Sequence, residues 1–117
     1  MNENILIFIS ILWIVGIINA INWIDGLDGL LSINCIIFGF GICLISLFTG
    51  NIGTLFFSSI LCGTCLGFLK FNKSPAKILI GDGGSYLLGL FISIMTIYAS
   101  YSIDSRTNFK SINIAFV

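Results

Sequence analysis

The chain has 117 residues, 57% of them hydrophobic and 9% charged, with five basic and five acidic side chains that balance to zero. Soluble domains carry about 25% charged residues, so this composition, with a mean hydropathy of +1.12, excludes an ordinary soluble domain and leaves a membrane protein. The neutral balance and the lack of any basic run argue against a nucleic-acid partner. There is no His, so chemistry or metal ligation that needs imidazole has no source in these residues.

Charges divide the chain. Residues 4–24 carry none. A spanning helix takes about 20 apolar residues, which predicts a first span at about residues 4–21. A secretory signal is the competing reading. It is disfavoured because Glu3 stands where Lys or Arg belongs and no small-x-small cleavage site follows.

The first span runs into Asn19-Ala-Ile-Asn22-Trp-Ile-Asp25-Gly26-Leu-Asp28-Gly29-Leu30. A carboxylate at the centre of a spanning helix costs roughly 2.5–3.5 kcal/mol, so acids between long apolar runs usually face water, a metal or a substrate. Asn19, Asn22, Asp25 and Asp28 recur every third residue, which on a continuous helix sets each beside the next. Gly26 and Gly29 leave the adjoining backbone open to a ligand. Two Asp-Gly turns at a membrane surface form the plainer explanation. They account for one Asp-Gly pair more easily than for two in register with two asparagines.

Residues 29–69 are again uncharged. They hold two spans, at about residues 30–48 and 53–69, separated by the turn signal Thr49-Gly50-Asn51-Ile52-Gly53. All four cysteines (Cys35, Cys43, Cys62 and Cys65) lie in this apolar stretch. The Cys62-x-x-Cys65 spacing allows a redox pair or half a zinc site. Without a second such pair, small packing residues on a helix face are the favoured reading.

The loop at residues 70–82 carries Lys70, Lys73 and Lys77 and no acid before Asp82. Basic short loops face the cytoplasm. This orientation puts the N-terminus, the 49–53 turn and residues 104–110 outside, and places Asp25, Asp28, Asp82, Asn19, Asn22 and Asn72 together inside. Gly81-Asp82-Gly83-Gly84-Ser85 then opens a fourth span at about residues 85–101. Backbone N–H groups at a glycine-rich helix start suit a phosphate, and Asp82 is a hard oxygen ligand fit for Mg²⁺. An ordinary turn with Asp82 or Ser85 as helix cap is the alternative, and no Gly-Lys-Ser/Thr follows to make it a P-loop. Residues 112–117 look like the start of a fifth span.

The expected fold is thus all-α and polytopic, a single transmembrane domain over residues 1–117. Its polar parts suit diphosphate chemistry: carboxylates for Mg²⁺ (Mn²⁺ as substitute), glycines and lysines for phosphates, and amides for a base or sugar.

Two motifs carry a resemblance. Asn19-x-x-Asn22-x-x-Asp25-Gly26-x-Asp28-Gly29-Leu30 is followed by Phe68-Leu69-x-Phe71-Asn72-x-x-Pro75-Ala76-Lys77-Ile78-x-x-Gly81-Asp82-x-Gly84-Ser85-x-x-x-Gly89. In order and spacing this resembles the polyprenyl-phosphate N-acetylhexosamine-1-phosphate transferases, glycosyltransferase family 4. These are integral membrane enzymes that initiate bacterial cell-wall and polysaccharide synthesis. The resemblance implies transfer of a sugar-1-phosphate from a UDP-N-acetylhexosamine to undecaprenyl phosphate, with release of UMP, on the cytoplasmic face of the bacterial inner membrane. It implies Asp25, Asp28 and Asp82 as catalytic residues and Asp82 as the Mg²⁺ ligand. Asn19, Asn22, Asn72, Lys77, Gly83, Gly84 and Ser85 are implied as substrate-binding. It also implies a larger helical fold of about ten spans, of which this chain is the middle. An earlier aspartate pair and a later His-bearing loop are expected outside it, so the isolated chain is expected to be inactive. The Pro75-Ala76-Lys77 variant is closer to the wall-teichoic and O-antigen branch than to the muramyl-pentapeptide branch. Leu79 stands where the family usually has an aromatic that stacks on the base.

A non-catalytic membrane remnant that keeps the fold, and a small transporter using intramembrane acids, are the other function classes. The transporter predicts acids at the bilayer midplane within broken helices.

Overall fold

The structure, a computed structural model, describes residues 3–107. It consists of four helices: α1 (Glu3–Ile24), α2 (Leu30–Thr49), α3 (Ile52–Asn72) and α4 (Gly81–Thr107). All four are long and apolar enough to cross a membrane. There is no strand among the described residues. The helices overrun the expected spans at their polar ends. α3 continues past Leu69 through Lys70 to Asn72, and α4 starts at Gly81 and continues past Tyr101 to Thr107. A helix satisfies its own backbone in lipid and at the interface alike, so a span measured in apolar residues underestimates helix length. The expected fifth span, from residue 112, lies outside the described residues.

The chain turns where glycine permits it. Gly50 sits at φ 72° after α2 and donates its N–H to Ser46 O at 2.8 Å, a left-handed helix end that side chains with a Cβ resist. Asn51 then caps α3, its side chain accepting from Thr54 N at 3.2 Å. The Asn51 amide also donates to Ser102 Oγ at 2.6 Å, tying this turn to α4.

The helices lie side by side in the spatial order α1, α4, α2, α3. The Cα extents of 48 × 29 × 15 Å describe one layer. Helix axes pack about 8–10 Å apart, so three spacings fill the width and barely one fills the depth. Most large apolar side chains are therefore turned outward, among them Phe8, Leu12, Phe40 and Leu87. The core is thin. Ile21, Leu31, Cys35, Leu61, Cys65 and Ile92 form one cluster, and Ile42, Met95 and Ala99 another. Small residues let the backbones approach, as expected where lipid removes the hydrophobic drive between helices. Buried hydroxyls add cross-helix bonds such as Ser46 Oγ to Thr54 Oγ1 at 2.8 Å. No buried side-chain polar atom is left without a partner among the described residues.

The cysteines belong to this seam. All four are free thiols. Cys35 and Cys65 are buried in the main cluster, Cys43 Sγ lies 3.1 Å from Ser58 Oγ, and Cys62 Sγ lies 3.6 Å from Ile36 O. The sulfurs of the Cys62-x-x-Cys65 pair are thus engaged with α2. Replacing both with Ala is expected to cost about 1 kcal/mol, the ordinary effect of a small loss of packing, and to leave helix assembly intact. Thermal denaturation in detergent with metal analysis checks this; loss of a bound metal on replacement would show that the pair is a ligand site.

Candidate functional site

Antiparallel helices bring the end of α1, the start of α2, the end of α3 and the start of α4 to one end of the layer. Every polar residue singled out above lies there or close by. The acids stand at helix ends, not within the spans: Asp25 and Asp28 in the α1–α2 turn, and Asp82 in the first turn of α4. This is not the arrangement of a midplane ion site.

One group of contacts joins α1 to α4. Asn22, on the last turn of α1, donates from Nδ2 to Ser85 Oγ at 2.8 Å and to Asp82 Oδ1 at 3.2 Å. Ser85 is fully buried and donates to Asp82 O at 3.0 Å. Its hydroxyl is thereby committed to orienting Asn22. Asp25 lies near the Gly81 N–H and faces Asp82. Burial pushes the Asp25 carboxyl above its ordinary value; the Asp82 charge adds to this, and the Gly81 N–H opposes it. A carboxylate that faces a second negative charge is costlier to ionise. Gly81 stands at φ 69°, so the chain can turn from the loop straight into α4. The N–H groups of Asp82, Gly83 and Gly84 then belong to a helix turn that has no carbonyls to serve it. Gly83 has open space around it.

The second group joins α2, α3 and the loop at residues 73–80. Asn72 is buried at the end of α3. Its Oδ1 accepts from Gly29 N at 3.1 Å and Ser32 Oγ at 3.0 Å, and its Nδ2 donates to Ile78 O at 3.0 Å. Asp28 Oδ2 accepts from Ala76 N at 3.0 Å. Lys77 and Ile78 donate their N–H groups to Phe71 O at 2.9 and 3.4 Å. The side chain of Lys77 is exposed. No ion pair ties Lys70, Lys73 or Lys77 to an acid among the described residues, which leaves a positive rim beside the two acid-bearing turns.

The three-residue repeat does not continue as one helix face. α1 stops at Ile24, and Asp25 N bonds Asn22 O at 3.2 Å in a turn. Asn22 and Asp25 reach α4, whereas Asp28 reaches the loop. Asn19 joins neither group: it is exposed and donates to Val15 O on its own helix at 2.8 Å. Sequence reasoning missed Ser32 and the backbone N–H of Ala76. The available signal was modest, a hydroxyl three residues after Gly29 in the first turn of α2.

Residues 1–100 match glycosyl transferase family 4. Among curated proteins, the chain is similar to phospho-N-acetylmuramoyl-pentapeptide-transferases. That of Chlamydia trachomatis serovar L2 is 49% identical over 37 residues, 32% of this chain and 11% of the relative. That of Alkaliphilus metalliredigens is 39% identical over 54 residues, 46% of this chain and 16% of the relative. That of Caldicellulosiruptor bescii is 44% identical over 46 residues, 39% of this chain and 14% of the relative. The matched stretches are thus a small part of these longer proteins. Their names belong to the muramyl-pentapeptide branch, not the branch expected from Pro75-Ala76-Lys77. No solved structure matches the chain.

Proposed function

The chain belongs to glycosyl transferase family 4, and on that premise we propose that it supplies the nucleotide-sugar and metal half of a phosphoglycosyl transferase. The reaction is transfer of a sugar-1-phosphate from a UDP-N-acetylhexosamine to undecaprenyl phosphate. An oxygen of the lipid phosphate forms a bond to the sugar-bearing phosphorus, and the bond from that phosphorus to UMP breaks. The observation that carries this reading is the Asn22–Asp82–Ser85 cluster with Asp25 against Asp82, next to the open first turn of α4.

The residues present fit Mg²⁺, or Mn²⁺ in its place. A cation relieves the repulsion between the Asp25 and Asp82 carboxylates, and Mg²⁺ is typically held by one or two carboxylates plus substrate phosphates. Asp82 and Asp25 would hold the ion, which when bound supplies charge neutralisation to the diphosphate. Asn22 fixes the Asp82 carboxylate through Oδ1. The N–H groups of Asp82, Gly83 and Gly84 and the side chain of Lys77 bind phosphate oxygens. Asp28, in the α1–α2 turn, holds the loop through Ala76 N on the side where the nucleoside would lie. The three unpaired lysines support a cytoplasmic orientation in a bacterial inner membrane, where lipid phosphate is attracted to basic residues.

Protonation and cation binding compete at the pair. In the cation-free protein the folded value of Asp25 lies above its unfolded one, so its protonated form favours the fold, and that contribution is lost as pH rises through the raised value. A bound cation prefers the ionised pair. Its affinity is therefore expected to fall on acidification, beginning above the ordinary carboxylate range. Titrating Mn²⁺ binding against pH checks this; an affinity flat down to the ordinary range overturns it.

The function is tested by Mg²⁺-dependent exchange of labelled UMP into UDP-N-acetylglucosamine, in membranes carrying the complete reading frame that contains this chain. Exchange that needs both the divalent ion and the lipid phosphate supports the proposal. Nucleotide-sugar binding without exchange reduces the protein to a non-catalytic binder.

A further inference from the structure

We propose that Asn72 is a positioning residue that locks the loop at residues 73–80 onto the start of α2 and so fixes the Asp28 and Lys77 turns relative to α4, without touching substrate itself. The reaction this serves rests on the function proposed above; the lock does not.

The hydrogen-bonding capacity of Asn72 is nearly all used within the fold. A side-chain amide has one carbonyl oxygen with two lone pairs and one NH₂ with two protons. Asn72 spends both lone pairs on Gly29 N and Ser32 Oγ, and one proton on Ile78 O. It is 3% exposed. Little of it is left for a ligand. Its three partners sit on separate pieces of chain: Gly29 closes the acid-bearing turn, Ser32 lies in the first turn of α2, and Ile78 lies in the loop.

The location adds to this. Gly29 holds φ 76°, and a Cβ there would come within 3.3 Å of Leu69 Cδ1 and 3.5 Å of Lys73 Cα. The α1–α2 turn is thus pressed against the end of α3, and Asn72 is the polar contact across that seam. One other bond runs from the same turn to the same loop, from Ala76 N to Asp28. The loop is pinned at 76 and 78, and Asn72 makes the buried pin. Loss of a buried partner leaves Gly29 N–H and Ile78 C=O unsatisfied, which is costlier than loss of an exposed bond.

The loop carries its own reporter. Trypsin cuts after Lys77 only if the loop can extend, and the N–H groups of Lys77 and Ile78 are engaged with Phe71 O. Cleavage that follows local opening tracks the population of the open form. Ligand-free membranes with wild type, Asn72→Ala, Asn72→Asp and Ser32→Ala are digested side by side. Cleavage after Lys77 is expected to rise on the order of tenfold in Asn72→Ala, from the loss of buried hydrogen bonds. It rises less in Ser32→Ala. The double variant adds little to Asn72→Ala, because the Ser32 bond no longer exists to be lost. Asn72→Asp keeps both acceptor bonds but sets an oxygen against Ile78 O, so it loosens the loop without freeing Ser32. Cleavage after Lys70, inside α3, stays slow in all of them.

In the exchange assay Asn72→Ala lowers kcat roughly tenfold with little change in KM for the nucleotide sugar, the pattern of misplaced groups and not of a lost ground-state contact. Unchanged cleavage after Lys77 together with a raised KM makes Asn72 a substrate contact and overturns the proposal. Equal acceleration after Lys70 and Lys77 means general unfolding and overturns it as well; Ser32→Ala then repeats the comparison with a milder change. A wild-type protein that shows the cleavage pattern but no exchange refutes the transferase reading and leaves the lock standing.

Discussion

Asp82→Asn is expected to abolish sugar-phosphate transfer in membranes carrying the complete reading frame, while the four-helix layer stays intact. The carboxylate has two roles available. As a helix-start residue it accepts a hydrogen bond from Asn22 Nδ2, and an Asn oxygen accepts the same bond. Asn is also as good a cap as Asp. The change does remove a negative charge from the positive end of α4, a loss of about 0.3–1 kcal/mol at an exposed site. It also removes the charge that helps push Asp25 upward, which favours the fold. The two effects oppose each other, so the thermal midpoint in detergent is expected to move little. A divalent ion has no such compensation, because its affinity depends on the charge facing it. Transfer is expected to drop roughly 100-fold or more, on the scale of losing a main electrostatic contact to the reacting group. Partial rescue at high Mg²⁺ would follow from the remaining Asp25 ligand. Full activity in Asp82→Asn would make Asp82 a cap and sink the metal assignment.

Gly89→Leu is expected to disable the site from one helical turn away. A Cβ at Gly89 would stand 2.7 Å from Ile18 Cα and 3.4 Å from Ile18 N and O. These are backbone atoms, so no side chain can swing aside and the two helices must separate. Overpacking of this kind costs about 1–3 kcal/mol, and more when the obstacle is main chain. Ile18 is one turn from Asn22, and Gly89 is one turn from Ser85. Separation at the crossing therefore breaks the 2.8 Å bond from Asn22 to Ser85 and the 3.2 Å bond to Asp82. Even Gly89→Ala is expected to lower both the thermal midpoint and the activity. Gly63→Ala is the control: nothing lies within 4 Å of its Cβ position, and Ala in a helix interior is worth up to about 1 kcal/mol over Gly. Its midpoint is expected to hold or rise. If Gly89→Ala and Gly63→Ala behave alike, the α1–α4 crossing does not support the site.

The sequence by itself determined the class of the molecule and the end at which its chemistry sits. Three uncharged stretches, of lengths fit for one, two and one spans, specify four helices, because lipid leaves the backbone almost no other way to satisfy itself. An even alternation of turns then forces Asp25, Asp28, Asn72 and Asp82 to one end whatever the packing. The tertiary structure decided how these residues divide. Periodicity sets Asn19 beside Asn22 and carries the repeat on to Asp25 and Asp28, but α1 ends at Ile24 and the repeat breaks with it. A helix and a turn can share the same three-residue spacing, and only neighbours tell them apart. Asn19 falls back on its own helix, while Asn22 finds α4 because Gly89 lets Ile18 come close. Asn72 carries the same lesson. Its motif position suggests a ligand contact, and its burial among Gly29, Ser32 and Ile78 gives it a structural partner for each bond. Spacing along the chain records which residues are polar at the membrane surface. Whether each polar group spends its hydrogen bonds on a ligand or on the fold is settled mostly by contacts between residues 40 to 63 positions apart, which no local pattern encodes.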